Sequence, residues 1–284
     1  MRPDSRESFA DKVAAQIIEK LEAGTAPWQV PWTPGSQEGV LPYNATTGQR
    51  YKGINSIILM MQGHVDPRWL TYKQAEGVGV QIRRGEKGVT CQKWTFDAAR
   101  AERDDSGNIV RDSKGEAIKT RYPLSSPRMT LFTVFNASQT EGMPPLEKNA
   151  QTDLTWSPRE QAQALLNASG ATIEHHDQGG AFYRPSTDSI HLPVKERFPT
   201  ADGYYVTALH ELGHWTGHES RLKRDLSNAF GSPEYAKEEL RAEIASMMLG
   251  QALDIGHDPG QHVAYVGSWI KALEDDPLEI FRAA

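Results

Sequence analysis

The stretch from His210 to His218 restricts what this chain can fold into more than any other, because it contains His-Glu-x-x-His. The segment from Tyr204 to Leu212 lacks Pro and Gly and repeats apolar residues at helical spacing, which predicts a helix. Residues four apart on a helix point from one face, so His210 and His214 are predicted to bind one metal ion. Glu211, beside them, is the predicted base that activates the attacking water.

A third protein ligand has to come from elsewhere, because catalytic zinc keeps three protein ligands and one water. His218 is the nearest candidate, although Gly217 and the expected end of the helix leave its direction open. A second helical segment carries Glu239 and Glu243, whose i, i+4 spacing also puts both carboxylates on one face. The neighbouring Glu238 is expected on an exposed acidic face.

This acidic pair resembles the Glu-x-x-Ala-Asp/Glu pattern of zincin metallopeptidases whose third ligand is a glutamate. The resemblance implies Glu239 as the ligand and Glu243 as the carboxylate that orients a ligand histidine. The family usually has Asp where this chain has Glu243, so the two roles can also be exchanged. The implied cofactor is one Zn²⁺ ion, for which other divalent metals can substitute.

Composition predicts a globular protein large enough for two domains. A single cysteine, Cys91, excludes an internal disulfide framework and suits a reducing compartment. The N-terminus has no apolar core of a signal peptide, and no apolar run is long enough for a bilayer, so a cytoplasmic location without membrane contact is expected. The net charge of −6 is uneven: residues 1–145 carry 19 basic and 16 acidic residues, and residues 146–284 carry 12 and 21.

Residue patterns in the first half predict helices from Ser8 to Ala23 and from Ser56 to Gln62. Short strands are predicted at residues 69–75, 80–89 and 131–135. Residues 97–128 are polar and turn-rich, which predicts a protruding hairpin or a partly mobile insertion.

The second half is predicted to begin with a helix at residues 158–168, after a junction with two prolines at residues 142–150. Three short strands and two further helices are predicted at residues 171–176, 181–184, 189–192, 240–253 and 261–273. By resemblance to zincins, the strand at Ser189 to Leu192 is expected to be the sheet edge that holds a peptide.

Between Arg68 and Trp94, six basic residues are interleaved with three aromatic residues, Trp69, Tyr72 and Trp94. Basic groups that follow a phosphate backbone, together with aromatic rings on which bases stack, are what single-stranded nucleic acid binding requires. The alternative is structural, with tryptophans in the core and basic side chains facing water. The candidate DNA-binding residues are Tyr51, Lys52, Asn55, Arg68, Trp69, Tyr72, Lys73, Arg83, Arg84, Lys87, Lys93 and Trp94.

A series of motifs resembles the ArdC-type antirestriction proteins of conjugative plasmids, whose N-terminal domain is related to TraC-type primases. The motifs are Pro27-Trp28-x-x-Pro31-Trp32, Tyr51-Lys52-Gly53-Ile54-Asn55, Arg68-Trp69-x-Thr71-Tyr72-Lys73-Gln74-Ala75, Arg84-Gly85-Glu86-Lys87-Gly88, Val134-Phe135-Asn136-x-x-Gln139-Thr140, His210 to His218 and Tyr235 to Leu240. They follow the family's order along essentially the whole chain.

The resemblance implies an α+β fold with two domains, a mixed α/β domain that binds single-stranded DNA and a zincin-like metallopeptidase domain. We place these domains at residues 1–142 and 157–284, with a linker at 143–156. The implied function is protection of incoming plasmid DNA from host restriction, with single-stranded DNA and an unidentified protein substrate as partners. The alternative is a DNA-coating protein whose metal domain is structural or cryptic.

The expected peptidase mechanism uses zinc held by His210, His214 and Glu239, with Glu211 as the proton carrier. Tyr235 lies one helical turn before Glu239. It is expected in core packing near the site, with donation to the oxyanion as the second possibility.

Overall fold

The computed structural model describes residues 8–30, 32, 40–146, 158–229, 231–256 and 265–284. They form two compact units, one from the described parts of Met1–Trp69, Asn136–Ser138 and Met143–Ala284, the other from Leu70–Phe135 and Gln139–Gly142. Helices and sheets are mixed, as the α+β prediction requires. Each unit contains segments from separate parts of the sequence. The two predicted domains, at residues 1–142 and 157–284, therefore stay a prediction. Most of the predicted linker and the start of the helix predicted from Gln261 lie outside the described residues.

The first unit begins with helix α1 (Phe9–Glu22), in close agreement with the predicted helix. The Ser8 side chain caps the helix by accepting from the Asp11 amide, and the Asp11 carboxylate accepts from the Ser8 amide. Gly24, at φ 66°, ends it in the left-handed region. The buried face of α1 packs against α7 (Val266–Asp275), and Phe9 meets Phe281 edge to face.

Strand β1 (Tyr43–Asn44), helix α2 (Ile54–Met60) and strand β2 (Arg68–Leu70) follow. β1 and β2 pair in parallel. The strand predicted at residues 69–75 is wrong beyond Leu70, because helix α3 (Tyr72–Gly77) occupies this region. A capping box at Thr71 and Gln74 satisfies the first amides of α3, and this local hydrogen bonding outweighs the β-favouring residues.

The second unit contains α3 and the strands β3 (Gln81–Ile82), β4 (Val89–Ala101), β5 (Lys119–Asn136) and β6 (Thr140–Glu141). β3 pairs with β6, and β4 pairs with β5 in a long antiparallel hairpin. The register shifts between Thr95 and Asp97, so Phe96 lies in a β-bulge. Residues 97–128 lie in the distal part of this hairpin.

The chain returns to the first unit with α4 (Pro158–Ser169) and the strands β7 (Thr172–His176), β8 (Phe182–Arg184) and β9 (Ser189–Pro193). Their order is β7-β9-β8, with β7 parallel and β8 antiparallel to β9. The prediction that Ser189 to Leu192 forms the sheet edge is therefore wrong. All five β9 residues are buried, which suits a strand paired on both sides, and β8 is an edge of this described sheet.

Helix α5 (Ala201–Trp215) carries the His-Glu-x-x-His residues and packs on α6 (Pro233–Ala252). α6 starts earlier than predicted because Ser232 caps it and Pro233 occupies its first position. A short helix, α8 (Glu279–Ala283), follows α7. Within the part of the chain that the structure describes, no helix combines the length and apolar composition needed to cross a membrane.

The crossing of α5 and α6 depends on a glycine. A Cβ built on Gly213 lies 3.0 Å from the Ala242 Cα, a backbone atom that cannot move aside as a flexible side chain would. The helices can therefore approach this closely only where α5 has no side chain.

We expect Gly213→Ala to destabilise the metal-free protein by about 1–3 kcal/mol, because the added methyl forces α5 and α6 apart. Urea unfolding followed by circular dichroism measures this change. Gly267→Ala is the matched control, because Gly267 lies in α7 with open space at its Cβ position, and alanine there stabilises or leaves stability unchanged. Equal stability of Gly213→Ala and the unmodified protein would contradict the packing argument.

Candidate metal centre

Three side chains from two helices converge in the first unit. On α5, the Nε2 atoms of His210 and His214 lie 3.2 Å apart. On α6, the Glu239 carboxylate lies 3.6 Å from Nε2 of His210 and 3.4 Å from Nε2 of His214. Glu239 and His210 are buried, so these donor atoms face one another away from bulk water.

The spacing of these donors fits one metal ion. Zinc bonds to nitrogen and oxygen of about 2.0–2.1 Å in a tetrahedron separate the ligand atoms by about 3.4 Å. The ligand atoms of His210, His214 and Glu239 all lie within 4.8 Å of one another. The individual separations of 3.2, 3.4 and 3.6 Å are close to the tetrahedral spacing. The geometry therefore favours these residues as the set that can hold a divalent cation.

Glu243 occupies a different position. Its carboxylate lies 3.4 Å from Nδ1 of His210, on the side of the ring that faces away from His214 Nε2. This contact fits the orienting role, so the geometry favours Glu239 over Glu243 as the third ligand. His218 is turned elsewhere: its Nδ1 bonds with Ser220 and lies 3.8 Å from Asp188.

A second orienting carboxylate is Glu238, for which the predicted exposed position is wrong. Only 6% of Glu238 is exposed, and its carboxylate lies 3.2 Å from Nδ1 of His214. Arg224 donates to both Glu238 oxygens at 2.9 Å. Each imidazole therefore has one carboxylate on its Nδ1 side. Arg224 lies in the loop after α5, where no helical spacing indicated its role.

The charges in the centre are strongly coupled. Burial opposes the charged form of Glu239, but contacts with His210 and His214 outweigh it and hold the pKa of Glu239 far below its usual value. Burial likewise lowers the pKa of His210, yet Glu239 and Glu243 raise that pKa to about 10. The carboxylates around His210 and His214 thus favour a positive charge between the two imidazoles.

Glu211 differs from the other carboxylates of the centre. Burial raises the pKa of Glu211, and the neighbouring His210 and His214 only partly oppose this effect. The backbone N–H of Tyr183, on the edge strand β8, donates to its carboxylate. A buried carboxyl group with a raised pKa is suited to accept and return a proton near neutral pH.

A cleft of about 1300 Å³ opens beside these residues. α5, α6 and β8 line it, and His210, Glu211 and Glu239 face into it. Tyr235 also lines the cleft, where burial and hydrogen bonds with Tyr265 and Glu239 raise its pKa well above the usual value. Tyr235 therefore contacts a candidate ligand as well as packing in the wall.

The predicted DNA-binding residues of the first unit are mostly engaged in packing. Trp69 is 1% exposed and meets His64 edge to face, so it offers no free ring for a base. Arg68 forms an ion pair with Asp66 at 2.8 Å and donates to the Pro144 carbonyl. Tyr51 and Asn55 are half-buried and Lys52 is exposed. For Trp69 the structural alternative holds, because its burial rules out stacking.

The predicted residues of the second unit are more accessible. Tyr72, Lys73, Arg84, Lys87, Lys93 and Trp94 are exposed. Arg83 is exposed as well, but its guanidinium is bonded to Glu86 at 2.7 Å and to the Thr140 carbonyl. The hairpin adds exposed apolar side chains that the sequence analysis missed, namely Phe96, Met129 and Leu131. Trp94 and Phe96 are two residues apart in β4, and this spacing could have indicated an aromatic face of the hairpin.

Two family models match the chain, and together they cover most of it. Residues 7–135 match the N-terminal domain of the anti-restriction factor ArdC, and residues 160–284 match a zincin-like metallopeptidase. Two crystal structures of the antirestriction ArdC protein from plasmid R388 are similar to 98% of the chain. The metal-free form is 35% identical with a TM-score of 0.72, the Mn(II)-bound form is 34% identical with a TM-score of 0.71, and the chain covers 93% of each.

This chain belongs to the ArdC family. An uncharacterized protein of Sinorhizobium fredii, y4eC, is 32% identical over 99% of the chain and 90% of its own length. Two Escherichia coli proteins named DNA primase TraC are 61% and 59% identical over 98% and 99% of the chain. The chain spans only 26% and 19% of the length of these two relatives.

We expect Glu238→Gln to weaken binding of a divalent ion about 10–100-fold, because His214 loses the charge that holds its ring. Competition with a fluorescent chelator measures the affinity. Glu234→Gln, an exposed change on the same helix, should leave it unaltered. Unchanged metal affinity in Glu238→Gln would show that Glu238 has no orienting role.

Proposed function

We propose that this protein is an antirestriction protein of a conjugative element that binds single-stranded DNA and hydrolyses a peptide bond at a zinc site. The observation that carries the peptidase part is the convergence of His210, His214 and Glu239 beside Glu211 in an open cleft. Membership of the ArdC family supports the antirestriction part.

Zinc is the ion we propose, because two imidazoles and one carboxylate are a common catalytic zinc ligand set. The Mn(II)-bound ArdC structure from plasmid R388 supports a divalent ion in the same family. A bound zinc ion supplies Lewis-acid polarisation of the peptide carbonyl and lowers the pKa of water.

The chain's own residues carry the proton transfers. Glu211 accepts a proton from the attacking water, because its carboxylate is buried beside the ligands and held by the Tyr183 amide. The same group then returns the proton to the leaving amine. Glu238 and Glu243 keep the two imidazoles in one orientation throughout.

The alternative is a DNA-coating protein whose metal domain is structural or catalytically cryptic. Structural zinc sites normally use four protein ligands and are closed. Among the described residues, only three ligands converge, and a cleft of about 1300 Å³ gives access to them. These two observations favour catalysis over a structural role.

The proposed DNA surface is the exposed part of the β4–β5 hairpin with the neighbouring basic residues of the second unit. Trp94 pairs across the strands with Met129, and Leu131 lies diagonally opposite on the same face. Trp94 is 48% exposed and Phe96 64% exposed, so both rings are accessible to unpaired bases. Lys87, Lys93 and Arg128 are exposed basic residues of the same unit that can contact phosphates, with Lys93 and Arg128 next to the Trp94–Met129 pair along the two strands. Trp69 is not part of this surface.

We expect Glu211→Gln to abolish peptidase activity while the protein retains its metal, because the ligands are intact but the proton acceptor is lost. Metal content and cleavage of a denatured protein substrate are measured on the same preparation. Unchanged turnover would disprove the mechanism. If turnover is lost but protection of plasmid DNA in conjugation is retained, the result supports the DNA-coating alternative.

We expect Trp94→Ala to weaken single-stranded DNA binding by about 1–3 kcal/mol, the usual contribution of one stacked base. Fluorescence anisotropy of a labelled oligonucleotide across a salt series measures the affinity, with a duplex for comparison. Leu278→Ala removes an equally exposed apolar side chain of the first unit and serves as the control. Equal affinities of Trp94→Ala and the unmodified protein would exclude Trp94 from the DNA surface.

A further inference from the structure

The cleft beside the candidate metal centre is rich in carboxylates. Among the described residues that line it, none is a lysine or an arginine, whereas six carboxylates face it. They are Asp202, Glu211, Asp225, Glu238, Glu239 and Glu243. A peptide that enters this cleft therefore meets acidic groups and apolar or aromatic walls.

Most of these carboxylates already have a partner. Glu239 and Glu243 contact His210, and Glu238 is paired with Arg224. Glu211 is the proposed proton carrier and has the Tyr183 amide as its partner. Asp202, at the first turn of α5, is paired with Arg159 at 3.0 Å.

Asp225 is the exception. Its carboxylate accepts hydrogen bonds from the backbone amide and the hydroxyl of Ser227, at 3.0 and 2.7 Å. These bonds lower the pKa of Asp225, so the group is ionised at neutral pH. Across the described ranges, no basic side chain lies within ion-pair distance of it.

Asp225 is exposed in the loop between α5 and α6, but the backbone on both sides of it is held by hydrogen bonds. The preceding residue, Arg224, donates to the Gly213 carbonyl at 2.7 Å and to Glu238. The following Asn228 side chain donates to the Asp225 carbonyl at 3.2 Å. The loop is thus anchored on the groups that hold His214, and its negative charge has a defined place at the cleft wall.

The length of the cleft suits an extended peptide. Asp202 and His214 both line it and are 12 residues apart on α5. At a rise of about 1.5 Å per residue this is about 18 Å, the length of about five extended residues. His210 and His214 lie near the C-terminal end of α5. Arg224, next to Asp225, bonds with Glu238 beside His214, so we place Asp225 at the end of the cleft that holds the candidate ligands, near the scissile bond.

We propose that the cleft selects polypeptides with a lysine or arginine near the scissile bond, and that Asp225 receives this basic side chain. The inference rests on the proposed peptidase function and names its substrate class. It agrees with the proposed DNA binding, because proteins that contact phosphates are rich in lysine and arginine. The substrate class is therefore a basic polypeptide such as one bound to nucleic acid.

Binding and turnover are tested separately with the metal-loaded full chain. Peptides long enough to fill the cleft carry lysine, glutamine or glutamate at one central position. Their affinity is measured by fluorescence anisotropy in the Glu211→Gln background, which does not depend on catalysis. Their cleavage is measured with quenched versions in the protein with Glu211 intact.

We expect the lysine peptide to bind about fivefold more tightly than the glutamine peptide, with the glutamate peptide weakest. Asp225→Asn should reduce this preference to about twofold or less, and Asp225→Lys should reverse it. The effect should appear in KM rather than kcat, because the charge lies outside the reacting bond. Glu219→Gln, an exposed change in the same loop, is the matched control and should keep the lysine preference.

An equal affinity for the three peptides, or a lysine preference that Asp225→Asn leaves intact, would overturn the assignment. Metal content and circular dichroism confirm that each variant is folded. Lysine-selective binding without any cleavage would instead count against the proposed peptidase function. The two failures are therefore distinguishable in one set of measurements.

Discussion

The close crossing of α5 and α6 is the constraint on which the candidate site depends. Gly213 on α5 lies against the backbone of Ala242, and this contact brings Glu239 to the Nε2 atoms of His210 and His214. A larger helix separation would lengthen the distance from the Glu239 carboxylate to both imidazoles. The packing of Gly213 against Ala242 therefore sets the geometry of the candidate metal site.

Burying this many charged groups is costly unless each is paired. The first unit meets this requirement with carboxylates on both sides of the imidazoles and with Arg224 behind Glu238. Arg224 also anchors the loop that follows α5 through the Gly213 carbonyl. One arginine thus links the orientation of His214 with the position of the cleft wall, including Asp225.

The second unit offers a different kind of surface. Its long hairpin has few buried residues beyond Cys91 and Val134, and it exposes Trp94 and Phe96 around a β-bulge. Local stability there comes from strand pairing rather than from a core, which leaves aromatic side chains accessible. Such a surface suits a ligand that is itself extended and has exposed rings, as unpaired bases have.

The sequence by itself determined the elements whose causes are local. Helix α1, with its serine cap and terminal glycine, and helix α5, which carries the candidate ligand histidines, follow from periodicity and capping residues. The spacing of His210 and His214 also predicted that both imidazoles share one face, because four residues make about one helical turn. The family resemblance rested on motifs that are contiguous in sequence, and the family models bear it out.

Only the tertiary structure decided which residues approach these motifs from elsewhere. The burial of Glu238 depends on Arg224, which is distant in sequence and carries no periodic signal. The central position of β9 depends on pairing with both β7 and β8, which alternation along a single strand cannot reveal. Trp69 was assigned to DNA from its neighbours in sequence, yet it lies in the core, because composition does not tell which side of a strand faces inward. Hydrogen bonds between residues close in sequence can be predicted from the sequence, whereas contacts between distant residues depend on how the elements pack.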